Sequence, residues 1–115
     1  MLTLYDQMNF TIEYFHVRVK AEIESWPDDL QADFARRVEL LRDFGPNIGM
    51  PHSRPLGGGL FELRPRGHRG IGRAFYCFIM ARRIVILHAF IKKTQEIPDH
   101  ALRIARQRMK EVQNG

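Results

Sequence analysis

Three strand-like runs in the second half of the chain each carry, or lead straight into, a basic residue. Arg64 closes the run Gly59-Leu-Phe-Glu-Leu-Arg, Arg73 opens Arg73-Ala-Phe-Tyr, and Lys92-Lys93 follow Ile84-Val-Ile-Leu-His-Ala-Phe-Ile. Guanidinium groups present paired N–H donors that match phosphate oxygens, and a lysine crowded by other cations becomes a better proton-transfer group. Such a set suits a polyanion, and the open question is whether it binds or also cuts. Alternation along a strand puts Glu62 and Arg64 opposite Phe61 and Leu63, so Arg64 is expected to point away from the core. By the same rule Ile84, Ile86, His88, Phe90 and Lys92 share one face of the last run, and Lys93 takes the other. Arg64, Arg73 and Lys92 converge if register cooperates, which alternation alone does not fix. A plainer use of these residues is that Arg64 pairs with a helix acid and the lysines end a strand.

Other chemistries find little support. His16, His52, His68, His88 and His100 are scattered, with no His-Glu-x-x-His or Cys-x-x-Cys spacing, so neither a metal nor a cofactor is expected. No Gly-Lys-Ser/Thr follows Gly57-Gly58-Gly59, which reads as a hairpin entry or a flexible link and not as a phosphate cradle. Cys77 lies in an apolar run and reads as a small buried hydrophobe.

The elements that must position the cations come from the pattern of apolar residues. Phe10, Ile12 and Tyr14 alternate within Asn9–Phe15, a short strand. Val19, Ile23 and Trp26 recur at helical spacing from about His16 to Ser25. Pro27-Asp28-Asp29 opens a second helix striped by Leu30, Phe34, Val38 and Leu41 and stopped by Gly45-Pro46. Residues 45–59 read as a loop. Strands follow at about Leu60–Pro65, Ile71–Met80 and Arg83–Ile91, with a tight turn at Ala81-Arg82. A last helix after Asp99 carries Leu102, Ala105, Met109 and Val112 on one side. Residues 1–8 read as a flexible lead or an extension of the first strand. The order β-α-α-β-β-β-α predicts an α+β domain: a small antiparallel sheet, an N-terminal helical hairpin on one face, and a C-terminal helix.

At 115 residues the chain is read as one domain, 1–115, large enough to bury roughly 65% of its unfolded surface. Hydrophobic and charged contents of 44% and 27% are ordinary for a globular protein and argue against disorder. No apolar run approaches the roughly 20 residues of a membrane helix, no secretory signal opens the chain, and a lone cysteine fits a reducing cytoplasm. The net charge of +5 is unevenly spread: residues 1–59 hold six Lys/Arg against nine Asp/Glu, and residues 60–115 hold twelve against four. A basic half is the footprint of a nucleic-acid binder, and it also serves solubility alone.

Gly-Leu-Phe-Glu-Leu-Arg (59–64), Arg73-Ala-Phe-Tyr76 and Val85-Ile-Leu-His-Ala-Phe-Ile-Lys-Lys-Thr-Gln-Glu-Ile-Pro98 resemble the RelE/ParE toxin superfamily, most of all its phage-derived, HigB-like branch. Trp26-Pro27, Leu-Leu-x-x-Phe-Gly-Pro at 40–46 and Leu56 before the glycines agree with it. The resemblance implies a RelE-like fold and a toxin of a type II toxin–antitoxin pair. It also implies a ribosome-dependent messenger RNA endoribonuclease and a helix-turn-helix antitoxin as partner, with operator DNA reached only through that antitoxin. Carried over residue by residue, the family's site arginines fall on Arg64 and Arg73 and its Phe-x-Lys-Lys turn on Phe90, Lys92 and Lys93; in that place Arg64 and Arg73 are expected to stabilise the transition-state phosphate and Lys92 to transfer a proton. Tyr76 or His88 is a substitute for proton transfer, although a core tyrosine and a sheet histidine have structural uses too. Arg66, Arg69 and Lys93 grip the RNA backbone, and Phe90 stacks on a base or packs in the core. Better-known relatives carry a tyrosine or histidines near the C-terminus, absent from Met109-Lys-Glu-Val-Gln-Asn-Gly here. Two alternatives share these features: a ParE-like DNA gyrase inhibitor that does no chemistry, and a prophage accessory protein that binds nucleic acid.

Overall fold

The computed structural model describes residues 9–92 and 97–115. In chain order the elements are β1 (Thr11–Tyr14), α1 (Val17–Glu24), α2 (Asp28–Phe44), β2 (Ser53–Gly57) and β3 (Leu60–Leu63). Then come β4 (Arg66–Gly67), β5 (Gly70–Ile79), β6 (Arg83–Ile91) and α3 (Asp99–Asn114). The expectations for residues 1–8 and for Lys93 lie outside the described residues.

The helical hairpin forms where its apolar spacing places it. His16 caps α1, its Nδ1 accepting the Arg18 N–H at 3.0 Å, and Val19 and Ile23 are buried. Asp28 and Asp29 occupy the first turn of α2, where the helix dipole favours negative charge. Gly45 ends that helix with φ +90° and donates its N–H to the Leu41 carbonyl at 2.8 Å. A side chain there would be strained, and its Cβ would come within 2.8 Å of the Phe10 ring.

The strands form a mixed sheet in the order β1-β6-β5-β3-β2, with β4 paired to β5. The expectation of an all-antiparallel sheet is corrected by β1, which runs parallel to β6 from Thr11↔Arg83 to Tyr14↔Ile86. No hairpin ties these two strands; the whole helical layer lies between them in the chain, and a long crossover permits parallel pairing. The expected loop at 45–59 is corrected too, because it contains β2. Pro55 and the glycines disguise this strand, but an edge strand tolerates proline, and β2 is an edge with a shifted register between Pro55 and Gly57. Gly58 and Gly59, both at positive φ, turn it into β3, and Ala81 (φ 64°) and Arg82 (φ 57°) turn β5 into β6.

Both faces of the sheet are covered. The α1–α2 hairpin packs on Leu63, Ala74, Tyr76, Ile84 and Ile86. α3 covers the other face through Ala101, Ala105 and Met109, which meet Leu60, Phe75, Cys77, Val85 and Leu87. Double coverage explains why β5 and β6 read as nearly unbroken apolar runs. A bulge interrupts their pairing: Phe75 pairs with His88, but Tyr76 pairs with Ile86, so Leu87 is the extra residue. The bulge reverses the phase of β6. Ile84 and Ile86 face the helical hairpin, whereas Phe90 packs on the α3 side. The expectation that Ile84, Ile86, His88, Phe90 and Lys92 share one face is therefore corrected.

Candidate functional site

The end of the sheet reached by the last residues of β6 gathers cations around one acid. Register pairs Arg54 with Glu62 and Glu62 with Phe75, which sets Arg54 and Glu62 on the α3 side of β2 and β3. Arg73 pairs with Phe90, on the same side. The Lys92 N–H donates to the Ile71 carbonyl at 2.7 Å, extending β6 and keeping Lys92, two residues after Phe90, in phase with it.

Glu62 is fully buried and is the hub. Arg54 Nε donates to its Oε1 at 2.8 Å and Arg73 Nη1 to its Oε2 at 2.8 Å. Arg64 Nε stands 3.9 Å from Oε1, within ion-pair range and beyond hydrogen-bonding distance. The expectation that Glu62 shares the open side with Arg64 is corrected on this point, since the carboxylate has no access to solvent. Exposure sorts the three arginines: the Arg73 side chain is 2% exposed, Arg64 23% and Arg54 36%. Arg73 thus lies at the base, and Arg64 and Arg54 form the accessible rim.

Three arginines, Arg54, Arg64 and Arg73, share the one Glu62 carboxylate. Burial holds the Arg64 guanidinium below the usual arginine range; Glu62 opposes this, while Arg54, Arg73 and Arg66 add to it. Lys92 is likewise held below the ordinary lysine range by burial, then by the Arg73 and Arg64 charges, with Glu62 opposing and Arg54 adding. The buried Nε atoms of Arg64 and Arg73 have no hydrogen-bond acceptor among the described residues. Buried donors of charged groups are rarely left in this state without a ligand or water to take them. An anion with several acceptor oxygens would satisfy them and relieve the repulsion among the cations.

Other residues singled out by sequence lie elsewhere. Arg66 is exposed on β4, where its backbone N–H donates to Asp33 Oδ2 at 2.7 Å, and its charge reaches Arg64. Arg69 is exposed in the next turn and lines a groove with Pro27, Asp28, Asp29 and His68, against the acidic start of α2. Phe90 packs edge-on against Phe75, ring centroids 5.6 Å apart, and belongs to the core under α3. Tyr76 lies on the opposite face, fully buried, its hydroxyl bonded to Ser53 Oγ at 2.6 Å and donating to the Pro46 carbonyl at 2.8 Å. Burial pushes its pKa up to about 12. His88 borders a niche shared with Arg18, Val19, Glu22, Ala89 and Arg108. Burial first, then the charges of Arg108 and His100, lowers its pKa.

Sequence reasoning missed Arg54 because the strand that carries it was hidden among prolines and glycines. Strand alternation places Glu62 on the face of Arg64 without a role. The available signal was a lone acid within a strand otherwise flanked by cations. Among the described residues no group of three His, Cys, Asp or Glu side chains comes together as a metal site would need, and no helix is long and apolar enough to cross a membrane.

Residues 21–110 match the family model for phage-derived protein Gp49-like (DUF891), a span that contains Arg54, Glu62, Arg64, Arg73 and Lys92. No curated protein matches the chain significantly.

Proposed function

The chain belongs to the phage-derived Gp49-like family, and on that premise we propose that it is the toxin of a type II toxin–antitoxin module. Its activity on this reading is ribosome-dependent, metal-independent cleavage of messenger RNA in the cytoplasm, and its partner is a helix-turn-helix antitoxin. The family's association with toxins of such modules supports the reading, as does the resemblance of the strand motifs to RelE-like and HigB-like toxins. The observation that carries it is the Glu62 hub: cations crowded around one buried carboxylate, two of them with Nε donors that have no acceptor among the described residues.

Each residue has a part in the chemistry. Arg64 and Arg54, at the rim, meet the scissile phosphate and stabilise the charge that builds as the 2′-oxygen attacks phosphorus. Arg73, at the base, holds Glu62, and Glu62 in turn fixes the rim arginines. A 2′,3′-cyclic phosphate forms, the bond to the 5′-oxygen breaks, and Lys92 gives that oxygen a proton. A lysine with a lowered pKa is the better donor. The 2′-hydroxyl proton is lost to solvent. Tyr76 faces the other side of the sheet and takes no part in this scheme.

The test is a cleavage assay on ribosomes programmed with a message of known sequence. The wild-type protein should cut within the translated codons, and Arg64→Ala should not. Intact message together with inhibited gyrase supercoiling would transfer the chain to the ParE-like reading.

A further inference from the structure

We propose that the flank of α3 facing β2 is a second binding stretch for single-stranded RNA, continuing the strand's path beyond the Glu62 hub. The proposal rests on the RNA reading of that hub. α3 has three differently used sides. Ala101, Ala105 and Met109 lie on the sheet. Arg108 reaches the β6 side, donating to the Leu87 carbonyl at 2.7 Å. Arg106 reaches the β2 side, donating to the carbonyls of Leu56 at 3.1 Å and Gly57 at 3.2 Å.

Along that last side runs an open groove of about 580 Å³ lined by Asp99, Leu102, Arg103, Arg106, Gln107 and Lys110. Its three cations have no carboxylate within ion-pair distance among the described residues, and the carbonyls that hold Arg106 leave its charge uncompensated. Arg103 to Lys110 covers about 10 Å of helix at 1.5 Å per residue. β2 links the groove's lining to the hub: Leu56, whose carbonyl accepts from Arg106, lies two residues from Arg54 on that strand and packs under α3. Leu102 is the single apolar lining residue. A protein partner would need an apolar or aromatic centre in its interface, whereas a phosphate backbone needs the spaced cations found there.

The experiment measures binding of labelled single-stranded RNAs of about 4 and about 16 nucleotides, the range of strand-binding site sizes, at several salt concentrations. The wild-type protein is compared with Arg103→Gln/Lys110→Gln; both residues are exposed and neither holds α3 in place. The expected result is an unchanged affinity for the short RNA and about tenfold weaker binding of the long one. The slope of log K against log salt should fall by about 1.4, for two phosphates at about 0.7 each. Equal loss on both lengths, or none on either, would overturn the proposal. So would unchanged RNA binding with weakened capture of the antitoxin, which assigns the groove to a protein. A wild-type protein that binds neither RNA also overturns the proposal, and cleavage on the programmed ribosome then decides the RNA reading on its own. Length-dependent binding without cleavage on the ribosome supports the groove and sinks the nuclease.

Discussion

Arg64 and Arg73 look interchangeable in the sequence, and their surroundings separate them. Arg64 is part-exposed with only a long contact to Glu62, while Arg73 is sealed in with a short one. Arg64→Ala leaves Glu62 bonded to Arg54 and Arg73, so the fold should lose no more than about 1 kcal/mol. The same change should lower cleavage on the order of 100-fold or more. Arg73→Ala leaves the buried Glu62 Oε2 without its hydrogen bond, with Arg54 still holding Oε1, and thermal or urea melts should show a loss of about 3 kcal/mol. Equal melting of the two variants would refute the distinction. Lys92 predicts a pH effect of definite sign. If its ammonium protonates the leaving oxygen, activity is full below its lowered pKa and falls as pH rises through it, beneath the ordinary lysine value of 10.5. In Lys92→Arg the falling limb should vanish and the rate should drop, because guanidinium stays protonated and is a poor donor. The cations were legible because they stand at the ends of apolar runs. The burial of Arg73 was not, because it depends on the surrounding sheet and helix packing.

At the scale of elements, periodicity located α1, α2, α3, β5 and β6, and glycine and proline hid β2. Strand alternation failed where the bulge at Leu87 reversed the phase of β6; a single inserted residue leaves no mark on a run that is apolar on both faces. The bulge matters to the site because it leaves Phe90 and Lys92 on the side of Arg73. A second device is the clasp between β4 and α2. Asp33 Oδ2 accepts the Arg66 N–H at 2.7 Å and Arg37 Nε at 2.9 Å, and Oδ1 pairs with Arg36. Burial raises the Asp33 pKa, but the Arg66 N–H, Arg37 and Arg36 outweigh it, and the carboxyl ends below its ordinary 3.8. A depressed folded-state pKa gives stability that is present above the unfolded value and is lost as pH falls through the folded one. Asp33→Asn should therefore destabilise the protein by about 1–3 kcal/mol at neutral pH. Its deficit relative to wild type should shrink in acid; a deficit constant down to strongly acidic pH would contradict this account of the clasp.

For the molecule as a whole, the charge split has a structural meaning. The acidic first half forms the helical layer, and the basic second half supplies most of the sheet end and α3. The hub cations and α3 therefore lie together on the side of the sheet away from the helical hairpin. Composition made that division legible. It did not reveal that α3 and the hub share a face, since only the folded path from β6 back across the sheet brings them together. The central claim is that the Glu62 hub cuts messenger RNA during translation. Mapping RNA 5′ ends in cells after induction of the wild-type protein tests it most directly, with Arg64→Ala as control. New ends in phase with codons of translated messages, absent from the control, are the predicted result. Intact messages accompanied by DNA damage would contradict it.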